Sequence, residues 1–486
     1  MAAAPRHDAG GDPQVTVTYH RPAVRAGGPE RRRHRAPRRF RVFTPALGLL
    51  LGGYLFLDKT FAYLHVPGTP LFVGEIVLGI GIMESIHLRL PWRRLVGSSP
   101  ILKALLAFMV ACLLRLLVDL PRYRLDAIRD SSIWYYGAFA FLVAAAAVAD
   151  PSFVPQLLRW YRRALPWFLV WAPFAIVLHY VDSLAAVTIP GSDAPINSWK
   201  PQDLVIQVAA GITYLWLGVH RVTGEQRRQA PPRSETALTL LGILSVLLAG
   251  TQTRGGFLAA VILLGIVLLY LTPGRQRRMV VPVGVGLALM LVFALLLDLK
   301  LHGEVRDISV RQALANVSSI TGQSSSDQLS GTVQWREGMW GQVVTDLRTH
   351  GTWLTGIGFG VILPDRYDVD VGNTNNENST APLRSVHNSH LTLLARTGVP
   401  AFALWLLLWL VVCRQLYLAV KRRPGGVRDP ANALTVWLLA APPAYLVNAI
   451  FDPALEGPHS GVWLFTIVGV AAAHVGLLRT TGRGVA

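Results

Sequence analysis

Apolar residues along this chain come in runs of roughly 17–22, the helical length that crosses about 30 Å of hydrocarbon. The runs predict spans near 45–63, 70–87, 101–119, 132–149, 164–182, 203–220, 236–252, 255–271, 279–298, 398–418, 431–450 and 460–478. In lipid every backbone polar group must be satisfied internally, and the short alternating strands of a barrel are not visible. The pattern therefore predicts an all-α polytopic membrane protein of about twelve transmembrane helices. One large extracytoplasmic loop separates the ninth span from the tenth.

Composition agrees: 52% of residues are apolar and only 15% are charged. The net charge of +18 sits in short clusters between apolar runs. That distribution suits membrane topology rather than a nucleic-acid partner. Cys112 and Cys413 both fall inside apolar runs and suggest neither a disulfide framework nor a metal site.

The chain divides into five stretches. Residues 1–42 carry ten arginines and read as a disordered basic cytoplasmic tail on an anionic membrane surface. Residues 43–298 hold the first nine spans, 299–397 the loop with its short helices, 398–478 the last three spans, and 479–486 a short cytoplasmic tail. Loops on one side carry Arg89, Arg93 and Arg94, then Arg159, Arg162 and Arg163, then Arg221, Arg227, Arg228 and Arg233, then Arg275, Arg277 and Arg278, then Lys421, Arg422, Arg423 and Arg428. The other side is neutral or acidic, except for 119–131, where three arginines balance three aspartates. The bias puts both termini in the cytoplasm.

Within the long loop, Gly338 to Leu347 has amphipathic helical spacing, and Gly372 to Thr380 is rich in asparagine. Gly356-Ile357-Gly358-Phe359-Gly360 looks glycine-rich, but no strand–helix context supports phosphate binding. It reads as a turn before an aromatic anchor.

Three places carry candidate chemistry. Arg254, in Thr253-Arg254-Gly255-Gly256, stands at the outer end of a span. An arginine there either snorkels to the interface or faces a partner or wet cavity. Arg336, flanked by Trp335, Glu337 and Trp340, belongs either to an interfacial helix with an aromatic belt or to a fork for phosphate oxygens. His387, in His387-Asn388-Ser389-His390, sits at the water–membrane boundary, where its ordinary pKa suits proton transfer or pyrophosphate contact. His390 follows one turn on, but no Asp or Glu at helical spacing completes a metal site, and none is expected.

These stretches, in this order and on this topology, resemble the O-antigen ligase / lipid-linked polysaccharide polymerase superfamily. The matching segments are Thr253 to Ala259, Trp335 to Trp340, Gly356 to Gly360, and His387 to Leu391 followed by Thr397-Gly398-Val399-Pro400. The stretch from Asn448 to Gly461, with Asp452 and Glu456, also looks like the family's penultimate outer loop.

The resemblance implies an inverting, metal-independent, membrane-embedded glycosyltransferase of the C-type class, without cofactor, in the bacterial inner membrane. Its donor would be a glycan on a polyprenyl diphosphate, and its acceptor a glycan, lipid or protein hydroxyl. Arg254 and Arg336 would stabilise the departing diphosphate. His387 would position it or take the acceptor's proton. Glu337 is an alternative base or a counter-ion to Arg336, and Trp335, Asn388 and His390 are weaker substrate contacts. Arg384 and Arg396 flank the site and read either as phosphate-steering or as solvated charges. The superfamily includes ligases, repeat-unit polymerases and protein-directed oligosaccharyltransferases. From a different class, a transporter or a lipid-linked oligosaccharide flippase also fits twelve spans, though no repeated halves are visible.

Overall fold

The computed structural model describes residues 39–69, 71–179, 195–219, 232–271, 327–366, 384–422 and 429–482, with 186–189, 273–275, 300–301, 308–309 and isolated positions between them. Apart from Val281 and Gly284, the expected span at 279–298 lies outside the described residues, as do the basic tail before residue 39 and the asparagine-rich 372–380.

Elsewhere helices stand where the apolar runs predict them. In order they are α1 (Phe43–Ala62), α2 (Val73–His87), α3 (Trp92–Ser98), α4 (Pro100–Asp130), α5 (Ser132–Tyr135), α6 (Ala138–Ala149) and α7 (Phe153–Leu178). There follow α8 (Pro201–Leu217), α9 (Pro232–Gln252), α10 (Arg254–Tyr270), α11 (Asp327–Thr349), α12 (Leu363–Arg366), α13 (Ser389–Lys421), α14 (Ala433–Phe451) and α15 (Pro458–Gly482). Before α11 a minimal antiparallel pair joins β1 (Lys300–Leu301) to β2 (Ile308–Ser309). Among the described residues, five helical stretches are long and apolar enough to cross a membrane: α4, Ser132–Ala149, α13, α14 and Pro458–Leu477.

The helix starts show why the boundaries fall where they do. Orphan amides at a helix N-terminus need acceptors. Glu84 of α2 accepts from the Phe43 amide at 2.9 Å, and Ser99 caps α4 by accepting from Leu102 at 3.4 Å. Asn388 caps α13, its Oδ1 accepting from His390 and Leu391 at 3.0 Å each.

Three boundaries differ from expectation. The span expected from residue 164 begins at Phe153, so Arg159, Arg162 and Arg163 lie in helix α7 rather than in a loop. Residues 119–130 are not loop but helix, continuing α4 past a break at Arg124, where φ is +47°. Arg115 forks onto Asp119 at 2.8 and 2.9 Å, so charges that would have needed water are paired within the protein. The tenth expected span starts nine residues early, because α13 begins at Ser389 and breaks at Gly398. The freed amide of Val399 there donates to the Trp353 carbonyl at 2.7 Å.

The bundle packs α10 against α14 and α8, α13 against α4, and α15 against α6. Trp405 of α13 meets Phe108 of α4 with centroids 5.1 Å apart, and Trp437 of α14 donates to the Ala210 carbonyl of α8 at 2.9 Å. On the outer faces of α4 and α13, Leu114, Val118 and Leu410 stay exposed, as lipid-facing side chains do. A second, smaller core seats α11 on this bundle: Met339, Val343 and Leu347 pack with Leu363, Val386 and Ala395.

Candidate functional site

The C-terminal ends of α1, α4 and α14 and the starts of α8, α10, α13 and α15 meet at one end of the bundle, and Arg254 and His387 lie on elements that reach it. Arg254 opens α10, whose cap is the Thr253 side chain accepting from Gly256 at 3.3 Å. The next residue, Gly255, lies against α8 and α14. A Cβ on it would stand 2.6 Å from Phe451 Cβ and 3.0 Å from Gln202 Nε2. Lacking one, Gly255 lets the start of α10 settle onto both neighbours.

Phe451 leads directly to Asp452, whose carboxylate binds Lys200 Nζ. The Asp452 carbonyl accepts from Ser389 Oγ at 3.1 Å, two residues beyond His387. On the other side of His387, the Val386 carbonyl accepts from Trp340 Nε1 at 2.9 Å. Arg336 stands one turn before Trp340 on α11. Arg254, Arg336 and His387 thus sit on three elements tied to one another through Asp452 and Trp340.

Electrostatics link two of them directly. His387 is held in a left-handed backbone conformation, φ +52°, just ahead of the Asn388 cap. Its pKa is pushed down to about 3, first by burial and then by the positive charges of Arg336, Lys200 and Lys59. Its imidazole is neutral at physiological pH, and a polyanion entering beside Arg336 would offset the part of that shift due to the cations.

The weaker candidates take other positions. Asn388 is spent on capping α13. His390 is fixed by two bonds, Nδ1 accepting from Trp405 Nε1 at 3.0 Å and Nε2 donating to the Leu446 carbonyl at 2.9 Å. Trp335 and Glu337 belong to α11, but their side chains lie outside the described residues. Arg384 and Arg396 are not solvated charges. Arg384 forks onto Asp130 at 2.8 and 3.0 Å, and Arg396, 1% exposed, reaches the same carboxylate at 2.7 Å.

The glycine-rich loop completes that cluster. Its amides bind carboxylates of the protein: Phe359 N–H donates to Asp119 at 2.8 Å and Gly360 N–H to Asp130 at 2.9 Å. The loop is a strap holding α4 to α13, with Phe359 fully buried beneath it.

The structure adds a buried polar network that sequence reasoning passed over. His459 Nε2 pairs with Asp203 Oδ2 at 2.9 Å, Asn448 donates to Asp203 Oδ1 at 2.9 Å, and Gln202 donates to Asn448 Oδ1 at 2.7 Å. Asp58 joins by accepting the Lys200 amide at 2.7 Å. Asp58, Asp203 and His459 bring one potential ligand atom each within 4.8 Å of one another, close enough for a cation to bridge. A signal for this network existed: Asp58 and Asp203 are acids inside apolar runs, and intramembrane acids mark function by default.

Fold and site together define a multi-pass membrane protein with a polar, cation-bearing site buried at one end of its helices. Residues 239–406 match the family model described as O-antigen ligase. That stretch runs from α9 into α13 and holds Arg254, Arg336 and His387, so the resemblance to the O-antigen ligase-related superfamily read from the motifs is borne out. No curated protein matches the chain.

Proposed function

We propose that the chain is an inverting glycosyltransferase of the bacterial inner membrane, moving a glycan from a polyprenyl-diphosphate carrier to an acceptor hydroxyl at the outer face, in the manner of an O-antigen ligase. The observation that carries this reading is the junction at Asp452, where the start of α10 with Arg254 and the start of α13 with His387 meet beside Lys200.

In the proposed reaction the acceptor oxygen attacks the anomeric carbon while the bond to the diphosphate breaks. The departing diphosphate takes the electron pair and the acceptor loses its proton. Negative charge therefore grows on the leaving group, and fixed cations in a partly water-shielded site stabilise it most where it grows. Arg254 and Arg336 fill that role. Neutral His387 stands ready to contact the diphosphate or accept the proton, and either act is favoured once the donor's negative charge offsets Arg336. The reading assigns no step to a metal.

The test is a deletion strain complemented with Arg254→Ala, Arg336→Ala or His387→Ala, with surface glycan and carrier-linked glycan resolved on gels. A ligase predicts full-length glycan accumulating on the lipid carrier. A repeat-unit polymerase of the same superfamily predicts loss of chain length instead. Wild-type glycan with all three variants overturns the site.

A further inference from the structure

We propose that Lys200 is a third cation for the donor's diphosphate, kept in place by Asp452 in the free protein and exchanged onto phosphate oxygens when the donor binds. The proposal rests on the donor assigned above and extends it to a residue outside the family match, in a part of the chain where no motif drew attention.

Position comes first. Lys200 stands immediately before α8, and its backbone is pinned by its N–H donating to Asp58 Oδ2 at 2.7 Å. Its ammonium binds Asp452, the residue that touches both halves of the candidate site. Phe451 beside it packs against Gly255 next to Arg254, and its own carbonyl holds Ser389 two residues from His387. Gln202, two residues beyond Lys200, also lines Gly255. A group bound between Arg254 and His387 therefore borders the Lys200 side chain.

Exposure and chemistry fit an exchange. The Asp452 side chain is 5% exposed, whereas Lys200 keeps 24%, so the cation, not the carboxylate, is what an incoming ligand meets. Burial alone would lower the Lys200 pKa, but Asp452 and Asp203 together raise it, so the amine stays charged. An ammonium is a compact charge with rotatable donors and can turn from a carboxylate to a phosphate without losing its anchor; an arginine fork is less free to do so. In the free protein the pair also neutralises Asp452, which would otherwise repel a diphosphate. After transfer, Asp452 reclaims the lysine and weakens the hold on the product.

The experiment uses the full chain in nanodiscs and measures binding of undecaprenyl diphosphate, with undecaprenyl monophosphate as the comparison. Lys200→Met alone strands a buried carboxylate, so the informative variant is Lys200→Met with Asp452→Asn, which removes both charges. The expected results are a double variant that melts close to wild type yet binds the diphosphate about tenfold more weakly, and an Asp452→Asn variant that binds it more tightly than wild type. A purely structural pair would make Asp452→Asn and Lys200→Met weaken binding alike, and that result overturns the proposal. So does a double variant within twofold of wild type. If wild type itself ignores undecaprenyl diphosphate, the donor reading fails and takes this proposal with it; if wild type binds and the double variant matches it, only the Lys200 proposal falls.

Discussion

His387 combines a left-handed backbone, φ +52°, with an imidazole that burial first, and then three nearby cations, hold in its neutral form. A histidine whose folded pKa lies near 3 binds fewer protons than the unfolded chain between about pH 6.5 and 3. The protein therefore loses stability as pH falls through that window, and His387 contributes nothing to titration near neutrality. Selectively labelled histidine NMR should show the His387 resonance flat from pH 8 to about 4 in the free protein. Saturating undecaprenyl diphosphate should move its midpoint up toward the ordinary range, because the ligand's charge opposes that of Arg336. A free-protein midpoint near 6.5 would remove the proposed cation cluster. Gly255 offers a second residue-level test, with a control in the same helix. Gly255→Ala forces a methyl to within 2.6 Å of Phe451, so transfer activity should fall at least about tenfold as the start of α10 shifts. Gly265→Ala, with open space around it, should leave activity intact and raise stability by up to about 1 kcal/mol. Equal behaviour of the two variants in the same transfer assay would argue against close packing at Arg254.

At the scale of elements, the α4 extension, the glycine strap and the start of α13 act as one unit around Asp130. That carboxylate accepts from Arg384, Arg396 and the Gly360 amide, and removing one partner of a buried ion pair leaves an uncompensated charge. Asp130→Asn should cost about 3–5 kcal/mol in detergent unfolding, with Arg396 stranded. Glu456 sits in the turn between α14 and α15, its pKa raised to about 7 by burial, which the charge of Arg396 only partly offsets. A carboxyl whose folded pKa exceeds its unfolded one adds stability below about pH 4.5 that is lost as pH rises through about 7. Melting curves from pH 5 to 8 should therefore fall more steeply for wild type than for Glu456→Gln, and parallel curves would place the carboxyl in water. The turn at Gly356–Gly360 was legible in the sequence, but the charge pairing that ties this unit together was not. Arg384 and Arg396 read as solvated or phosphate-steering, and 119–131 as loop, because charge pairing across some 250 residues leaves no local pattern. The helices themselves were legible, since a run of apolar residues long enough to span lipid needs no partner to declare itself. The cap at Asn388 moved one boundary, because a polar helical turn before a span carries no hydropathy. Arg254, Arg336 and His387 were found by motif, whereas Lys200 and the Asp203–His459 pair, which are only neighbours in space, were not.

Over the whole molecule, polar chemistry is concentrated at one end of the helices. Arg254, the Asp452–Lys200 pair, the His387 loop and the strap all lie where α4 and α14 end and α8, α10, α13 and α15 begin. Arg159, Arg162 and Arg163 sit in the early turns of α7, toward the opposite end. A donor glycan too polar to cross lipid has to be met on the side where it is displayed, so the proposed function requires the site end to face outward. The Lys/Arg bias independently requires the arginine end to face the cytoplasm. Both demands can be checked at once by cysteine accessibility. The native cysteines make a quiet background, since Cys112 is buried in α4 and Cys413 half-buried in α13. Leu354, 71% exposed in the turn between α11 and the strap, marks the site end, and Gly274, exposed just past α10, marks the other. In intact cells a membrane-impermeant maleimide should label Leu354→Cys and spare Gly274→Cys, and permeabilisation should make the second react as fast as the first. The reverse pattern would put Arg254 and His387 on the cytoplasmic side, where no glycan awaiting export to the surface could be joined, and the transferase reading would have to give way to one that acts before translocation.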